Sequence, residues 1–286
     1  MRPTLPISSA GGSLQFLYHN PIGRVFLKVL TRPFVSKIVG KYMNSGLSKR
    51  RIKKFVRENQ IDLSIYQAEE WSCFNSFFYR RIKPEARPFG DFANGALLSP
   101  ADSKVLIYPI REGLILPIKE GEYTVASLLQ NDALAQNYQN GYAVVFRLCV
   151  DDYHRYCFPA SGTKEADVVI PGKLHTVQPI ALRMRPVFCE NSRSYTVLHT
   201  DLFDDVVQME VGALCVGKIT NHTPTEVRTV RAGEEKGYFE FGGSTIVLLF
   251  KEDTFIPDAD LVENTNNDLE TIVRFGETIG YRNSPN

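Results

Sequence analysis

Cysteine is scarce and scattered: Cys73, Cys149, Cys157, Cys189 and Cys215 stand singly, with no CxxC pair and no histidine set at zinc spacing. One of the five stays unpaired in any disulfide scheme, so a reducing compartment is expected. No run of 18 apolar residues occurs, which argues against a bilayer-spanning helix. The early apolar stretches are short and broken by Arg24, Lys28 and Arg32, so the N-terminus does not read as a signal peptide. There is no internal repeat of fixed period. Net charge is nearly absent too, with 33 basic against 32 acidic residues. What is present, 286 residues with 43% apolar and 23% charged, is enough for a full hydrophobic core and excludes a disordered tail or a fibre.

The even balance hides a split. Residues 1–87 carry 16 Lys/Arg against 5 Asp/Glu, or +11, and residues 88–286 carry 17 against 27, or −10. In the basic part, Ile22, Phe26, Val29 and Leu30 are spaced as one helical stripe and Phe34, Val35, Ile38, Val39 and Tyr42 as another, with Pro33 starting or kinking the second helix. A third helix is expected over 47–59, with Ser48 as N-cap and the cations Lys49, Arg50, Arg51, Lys53 and Lys54 around a short apolar face. Apolar stripes beside dense Lys/Arg suit a helix lying on an anionic bilayer surface, and equally helices packed on a domain with a solvated basic side. No nucleic-acid reading motif accompanies the cations.

From about residue 96 the pattern changes to strands, expected at 104–110, 142–150, 195–199, 206–219 and 245–250, with 123–129 ambiguous between helix and strand and 257–286 largely polar. The expected fold class is α+β, with a helical basic region over 1–87 and a β-rich body over 88–286.

Three positions could carry chemistry. His154 follows an apolar strand in DDYHRYCFP. Ser244 follows Gly242 and Gly243 and precedes Thr245 at the head of an apolar strand, where two glycines allow a strained turn. Asp102 sits in SPADSKV before another strand, a natural Asx-turn position. Together they offer an orienter, a base and a hydroxyl nucleophile, although each also has an ordinary structural explanation. GGST is neither GxSxG nor a phosphate-binding loop. No metal site is expected.

Further motifs lie around them in order: RRIKPEARPF at 80–89, SPADS at 99–103, DDYHRYCFP at 151–159, IPGKLHTVQP at 170–179, VGALCVGKI at 211–219 and EKGYFEFGGST at 235–245. This ordered set resembles the phosphatidylserine decarboxylase proenzyme family over nearly the whole chain. The resemblance implies self-cleavage between Gly243 and Ser244 into chains 1–243 (beta) and 244–286 (alpha), which stay together as a heterodimer, with Gly242 and Thr245 supporting the cut. It makes Asp102, His154 and Ser244 the catalytic triad and turns Ser244 into a covalent pyruvoyl group. The implied reaction is decarboxylation of phosphatidylserine to phosphatidylethanolamine and CO2 through a Schiff base. Implied partners are phosphatidylserine and an anionic membrane surface, with no nucleic acid. The implied location is peripheral, on the cytoplasmic face of the cell membrane, and a homo-oligomer of heterodimers is compatible with this. A pyruvoyl decarboxylase of another phosphoserine lipid or amino acid, or a non-enzymatic membrane-binding module, remains an alternative. The chain departs from the family's common pattern at Ser103, where a glycine is frequent, at Cys157, where a second histidine is frequent, and at Asn191-Ser192-Arg193, where NER is frequent.

Overall fold

The computed structural model describes residues 2–7, 12–89, 95–112, 114–118, 121–178, 181, 186–213, 218–242 and 244–283. Gly243, Cys215 and most of the central part of the 211–219 motif therefore lie outside the described residues.

The body is a ten-stranded sheet whose named pairings are all antiparallel. Its strands are β1 (Thr4–Pro6), β2 (Ser103–Pro109), β3 (Tyr142–Leu148), β4 (Gly162–Lys164), β5 (Val168–Ile170), β6 (Arg193–Thr200), β7 (Asp204–Val211), β8 (Arg228–Val230), β9 (Ser244–Phe250) and β10 (Leu269–Val273). The spatial order is β1-β10-β2-β3-β9-β7-β6-β4-β8, with β5 also paired to β6. Two short three-stranded sheets flank it, one joining Arg155–Cys157, Ile219–Asn221 and Glu235–Phe239.

The central strands are apolar in unbroken runs because both sheet faces are covered. Ala143 and Val145 of β3 and Val247 and Leu249 of β9 enter one core cluster, while Val144, Phe146, Leu148, Ile246, Leu248 and Phe250 enter the other. Alternate residues of a strand point to opposite faces, so these runs fill two cores at once.

The basic region is helical: α1 (Gly12–His19), α2 (Pro21–Leu30), α3 (Pro33–Met43), α4 (Ile52–Glu58) and α5 (Phe74–Phe78). Asn20 caps α2 through its side chain, and Pro33 occupies the first turn of α3, its fixed φ suiting that position. The helix expected over 47–59 begins instead as a 3-10 turn, Gly46–Arg51, and Ser48 does not cap it. The Ser48 hydroxyl is buried, donates to the Met43 and Ser45 carbonyls and accepts from the Phe74 N–H, tying this turn to α5. The expected stripe on α2 faces outward: Ile22, Phe26 and Val29 are exposed, and the buried residues are Gly23 and Leu27.

Other expectations are refined. The 123–129 segment is both alternatives, strand to Thr124 and helix from Val125. The strand expected over 206–219 stops at Val211. The C-terminal stretch contains a helix, Ala259–Asn266, and two strands besides, so its polarity does not mean irregular chain. The first residues are stitched to it. β1 pairs β10, and the Arg2 guanidinium binds Asp258, Asp260 and Glu277 at 2.5–2.7 Å.

Candidate active site

Three neighbouring antiparallel strands bring the candidate residues together. Lys104 of β2 pairs with Arg147 of β3, and Leu148 of β3 pairs with Ser244 of β9. The start of β2, the end of β3 and the start of β9 therefore lie at one end of the sheet. Asp102 directly precedes β2, the 149–154 loop follows β3, and Ser244 opens β9. The approach to Ser244 is laid along the histidine segment, because Tyr238 pairs with Arg155 and the Phe239 N–H donates to the His154 carbonyl at 3.0 Å. Gly242 has φ +141°, a conformation that L side chains rarely adopt, so the first glycine of the turn has a backbone reason.

His154 is fully buried, and its ring lies 4.1 Å from that of Phe78. Nδ1 hydrogen-bonds the Asp152 carbonyl at 2.9 Å, so it carries the proton and leaves Nε2 as the basic nitrogen. Among the described residues Nε2 is buried without a hydrogen-bond partner, and the Gly242 backbone favours the protonated ring, against the effect of burial. Burial lowers the imidazole pKa from its ordinary 6.5 to about 3, with the cations Arg80 and Lys104 adding to the effect. The ring is thus neutral near pH 7, as a general base must be.

The expectation that Asp102 orients His154 is not met by direct contact. Asp102 accepts from Arg87 Nε at 2.9 Å and Nη2 at 2.6 Å, and from the Phe275 N–H at 2.7 Å. A bidentate guanidinium satisfies the carboxylate, and the Asp152 carbonyl takes the position on Nδ1 that an orienting acid would occupy. Asp102 thereby ties Arg87 and Phe275 to the start of β2. Ser244 and Thr245 are buried at the head of β9, and the Thr245 hydroxyl has no hydrogen-bond partner among the described residues. Cys157 is also fully buried, where burial pushes its thiol pKa well above the ordinary value and keeps it protonated.

Several neighbours escape sequence reasoning. The buried amide of Asn75 accepts from the Phe241 N–H at 3.0 Å and donates to Glu240 Oε2 at 3.3 Å, holding the chain just before the glycine pair. Phe241 packs edge-on against Phe74 and Phe78 of α5, at 5.0 and 5.2 Å between ring centroids. Lys104 donates to both oxygens of Asp152 at 2.7 Å and so fixes the loop carrying His154. These are pairings across long sequence separations, and only the NSF spacing within α5 could have hinted at an inward-facing asparagine.

Cys149, Asp151 and Asp152 bring potential metal-ligand atoms within 4.8 Å of one another. Asp152 is already engaged by Lys104 and the Cys149 N–H, and the Cys149 sulfur accepts from Arg147, so two of the three donors are committed to protein partners and the third, Asp151, is exposed.

The family model described as Phosphatidylserine decarboxylase matches residues 74–281. The chain is similar to "Phosphatidylserine decarboxylase proenzyme 2" of Clostridium acetobutylicum, 46% identical over 274 residues that cover 95% of this chain and 92% of the relative. It is also similar to "Phosphatidylserine decarboxylase proenzyme" of Clostridium botulinum, at 41% identity with 94% and 92% covered, and of Clostridium perfringens, at 39% with the same coverage. With a match over most of its length, and with the segments carrying Asp102, His154 and Ser244 at one end of the sheet, the chain belongs to the phosphatidylserine decarboxylase family.

Proposed function

We propose that this protein decarboxylates phosphatidylserine to phosphatidylethanolamine and CO2 after cutting itself before Ser244. The observation that carries the reading is the buried, neutral His154, whose Nε2 has no hydrogen-bond partner among the described residues and whose segment is laid along the approach to Ser244 through the bond from the Phe239 N–H to the His154 carbonyl. In the intact chain His154 takes the Ser244 hydroxyl proton and Oγ attacks the Gly243 carbonyl, so that the acyl group passes from nitrogen to oxygen. Removal of the Ser244 Cα proton then expels the Gly243 carboxylate as the end of the large chain. The dehydroalanine left on the small chain takes up one water, loses ammonia and becomes a pyruvoyl group. The orphaned Thr245 hydroxyl is available to the developing oxyanion. Asp102, through Arg87 and Phe275, holds the base of β2 in place.

The residues present fit a pyruvoyl group at position 244: the position is buried at a strand head, at the end of the sheet where the loop carrying His154 also lies. Such a group supplies an electrophilic carbonyl and an electron sink for loss of CO2. His154 Nε2, unprotonated at rest, passes to the decarboxylated carbon a proton that it takes up during turnover, and the aromatic wall of Phe74, Phe78 and Phe241 keeps water out.

Residues 1–87 attach the 88–286 body to an anionic membrane. Phe34, Ile38 and Tyr42 on α3 form an exposed apolar line, joined by exposed Ile22, Val25, Phe26 and Val29 on α2. Lys49, Arg50, Arg51, Lys53 and Lys54 are all exposed nearby in sequence. Among the described residues no helix is long and apolar enough to cross a membrane, so this attachment is by an interfacial face.

Intact-mass analysis tests the reading, followed by incubation with phosphatidylserine vesicles. Expected are a blocked small chain of roughly 4.9 kDa, its 43/286 share of 32.3 kDa, and release of phosphatidylethanolamine. An active preparation consisting wholly of uncut 32.3 kDa chain overturns it.

A further inference from the structure

A cavity of about 730 Å³ lies between α3, α5 and the body, bordered by Asn75, by Pro171, Gly172 and Leu174, and by Lys218 and Glu240. From α3 it is lined by Ser36, Lys37, Gly40 and Lys41. One helix thus faces two environments. Residues 34, 38 and 42 present the exposed apolar line at four-residue spacing, while 36, 37, 40 and 41 turn toward the cavity.

The polar groups of the cavity differ in whether they are already engaged. Lys218 donates to Glu240 Oε1 at 2.6 Å, and Glu240 Oε2 accepts from Asn44 and Asn75. The exposed Lys37 and Lys41 make no ion pair among the described residues, and the Ser36 hydroxyl is shielded from solvent without a hydrogen-bond partner. A shielded hydroxyl beside two uncommitted ammonium groups matches an anion that accepts several hydrogen bonds. The inner wall ends at Asn75 and Glu240, which hold the segment leading through Gly242 to Ser244.

We propose that this cavity receives the phosphodiester end of a membrane phospholipid, with Lys37, Lys41 and Ser36 binding the phosphate. The occupant's acyl chains stay in the bilayer against Phe34, Ile38 and Tyr42, and its amino-acid end extends toward Gly242. The phosphate contact makes these residues specificity determinants: they select a lipid-linked serine over a free amino acid. The inference rests on the phosphatidylserine reading and deepens it.

The test uses the full-length, self-processed protein in detergent micelles at fixed bulk concentration and varied mole fraction of phosphatidylserine. Lys37→Gln/Lys41→Gln raises the interfacial KM by about tenfold, the loss expected from removing charged hydrogen bonds to one anion, with kcat little changed. Lys37→Arg/Lys41→Arg restores it, and Ser36→Ala raises KM in its own right. In parallel, sn-glycero-3-phosphoserine slows acetylation of Lys37 and Lys41 in the wild-type protein while leaving Lys49 and Lys53 unaffected, and free L-serine protects none of them. An unchanged interfacial KM, with any deficit confined to vesicle partitioning, overturns the phosphate assignment, and so does absence of protection. The protection measurement decides the matter if the Gln variant fails to process. If the wild-type protein forms no phosphatidylethanolamine, the broader reading fails, whatever the lysines do.

Discussion

Asp102 and Arg87 form a bidentate ion pair in which both side chains are largely buried, with Nε–Oδ1 2.9 Å and Nη2–Oδ2 2.6 Å. The carboxylate expected beside the histidine is thus spent on joining the end of the basic region to the first residue of β2 and, through the Phe275 N–H, to the loop after β10.

Breaking a buried pair by removing one partner leaves an uncompensated charge, at a cost of about 3–5 kcal/mol. Arg87→Gln and Asp102→Asn should each lower denaturant stability by an amount of that order, and the double variant should lose little more than either single one. Both should slow self-cleavage alike. Urea unfolding in a Ser244→Ala background, alongside the fraction cut in the otherwise native chain, checks this. Full additivity would mean that the two side chains act separately.

His154→Ala should accumulate the uncut 32.3 kDa chain, and Ser244→Ala should do the same. Cys157→Ser should process far better than either, since this buried thiol stays protonated and has no acid–base part to play. Gel analysis of freshly synthesised protein distinguishes the three. If Cys157→Ser cut no better than His154→Ala, the base has been placed on the wrong residue.

The buried imidazole also leaves a pH signature. With its pKa lowered from 6.5 to about 3, His154 binds a proton more readily in the unfolded chain across that window. Its contribution is therefore complete above pH 6.5 and is lost as pH falls toward 3, by up to about 1.4 kcal/mol per pH unit. Asp152 and Glu210, raised by burial to about 6 and about 7, oppose this trend over part of the range, because their folded forms bind protons more readily. The comparison must accordingly be with His154→Gln, both in the Ser244→Ala background. Between pH 6.5 and 4.5 the parent should lose more stability than the Gln variant, as read from urea midpoints.

Asn75 should matter to cleavage although it is remote in sequence. Asn75→Ala leaves the Phe241 N–H without its acceptor, a penalty of about 1–3 kcal/mol if water cannot replace it. Asn75→Asp keeps an acceptor for Phe241 but sets a carboxylate against Glu240, so it too should cut slowly, and Glu240→Gln should partly rescue it. Cleavage half-times of the three variants and the Asp/Gln double variant provide the measurement.

Membrane attachment should divide into two parts. Replacing Lys49, Arg50, Arg51, Lys53 and Lys54 by Gln should remove the salt-sensitive part of binding to phosphatidylserine vesicles, on the order of 1 kcal/mol per cation near the surface. Phe34→Ser/Ile38→Ser should weaken the part that persists in high salt. Vesicle sedimentation across ionic strength separates them, and equal salt slopes for the Gln variant and the parent would assign the cations to ordinary solvation.

The strands were readable where burial on both faces demanded it: 142–146 and 246–250 are apolar runs whose residues face one core or the other in alternation. The C-terminal helix was not, because Ala259–Asn266 buries only Leu261 and Asn264 and offers no apolar stripe to read. At the site, Asp102, His154 and Ser244 stood out from local context and motif order. Their partners did not: Arg87, Asn75 and the Asp152 carbonyl acquire their roles through folding, and nothing in their immediate sequence distinguishes them. The outward face of α2 and α3 was legible as periodicity, but periodicity cannot say whether a stripe meets a core or is left uncovered.

β9 begins at Ser244 and runs between β3 and β7, with neighbours on both sides along its length. A cut before Ser244 would thus release a chain end in the middle of the sheet rather than at its rim. The released 244–286 piece would still supply β9 and β10 to the same ladders, and β10 would remain clasped between β1 and β2. The two polypeptides would be separate in covalent terms only: neither could be exchanged for a copy from another molecule without dismantling the sheet, and each mature enzyme would keep the pair of chains it was born with.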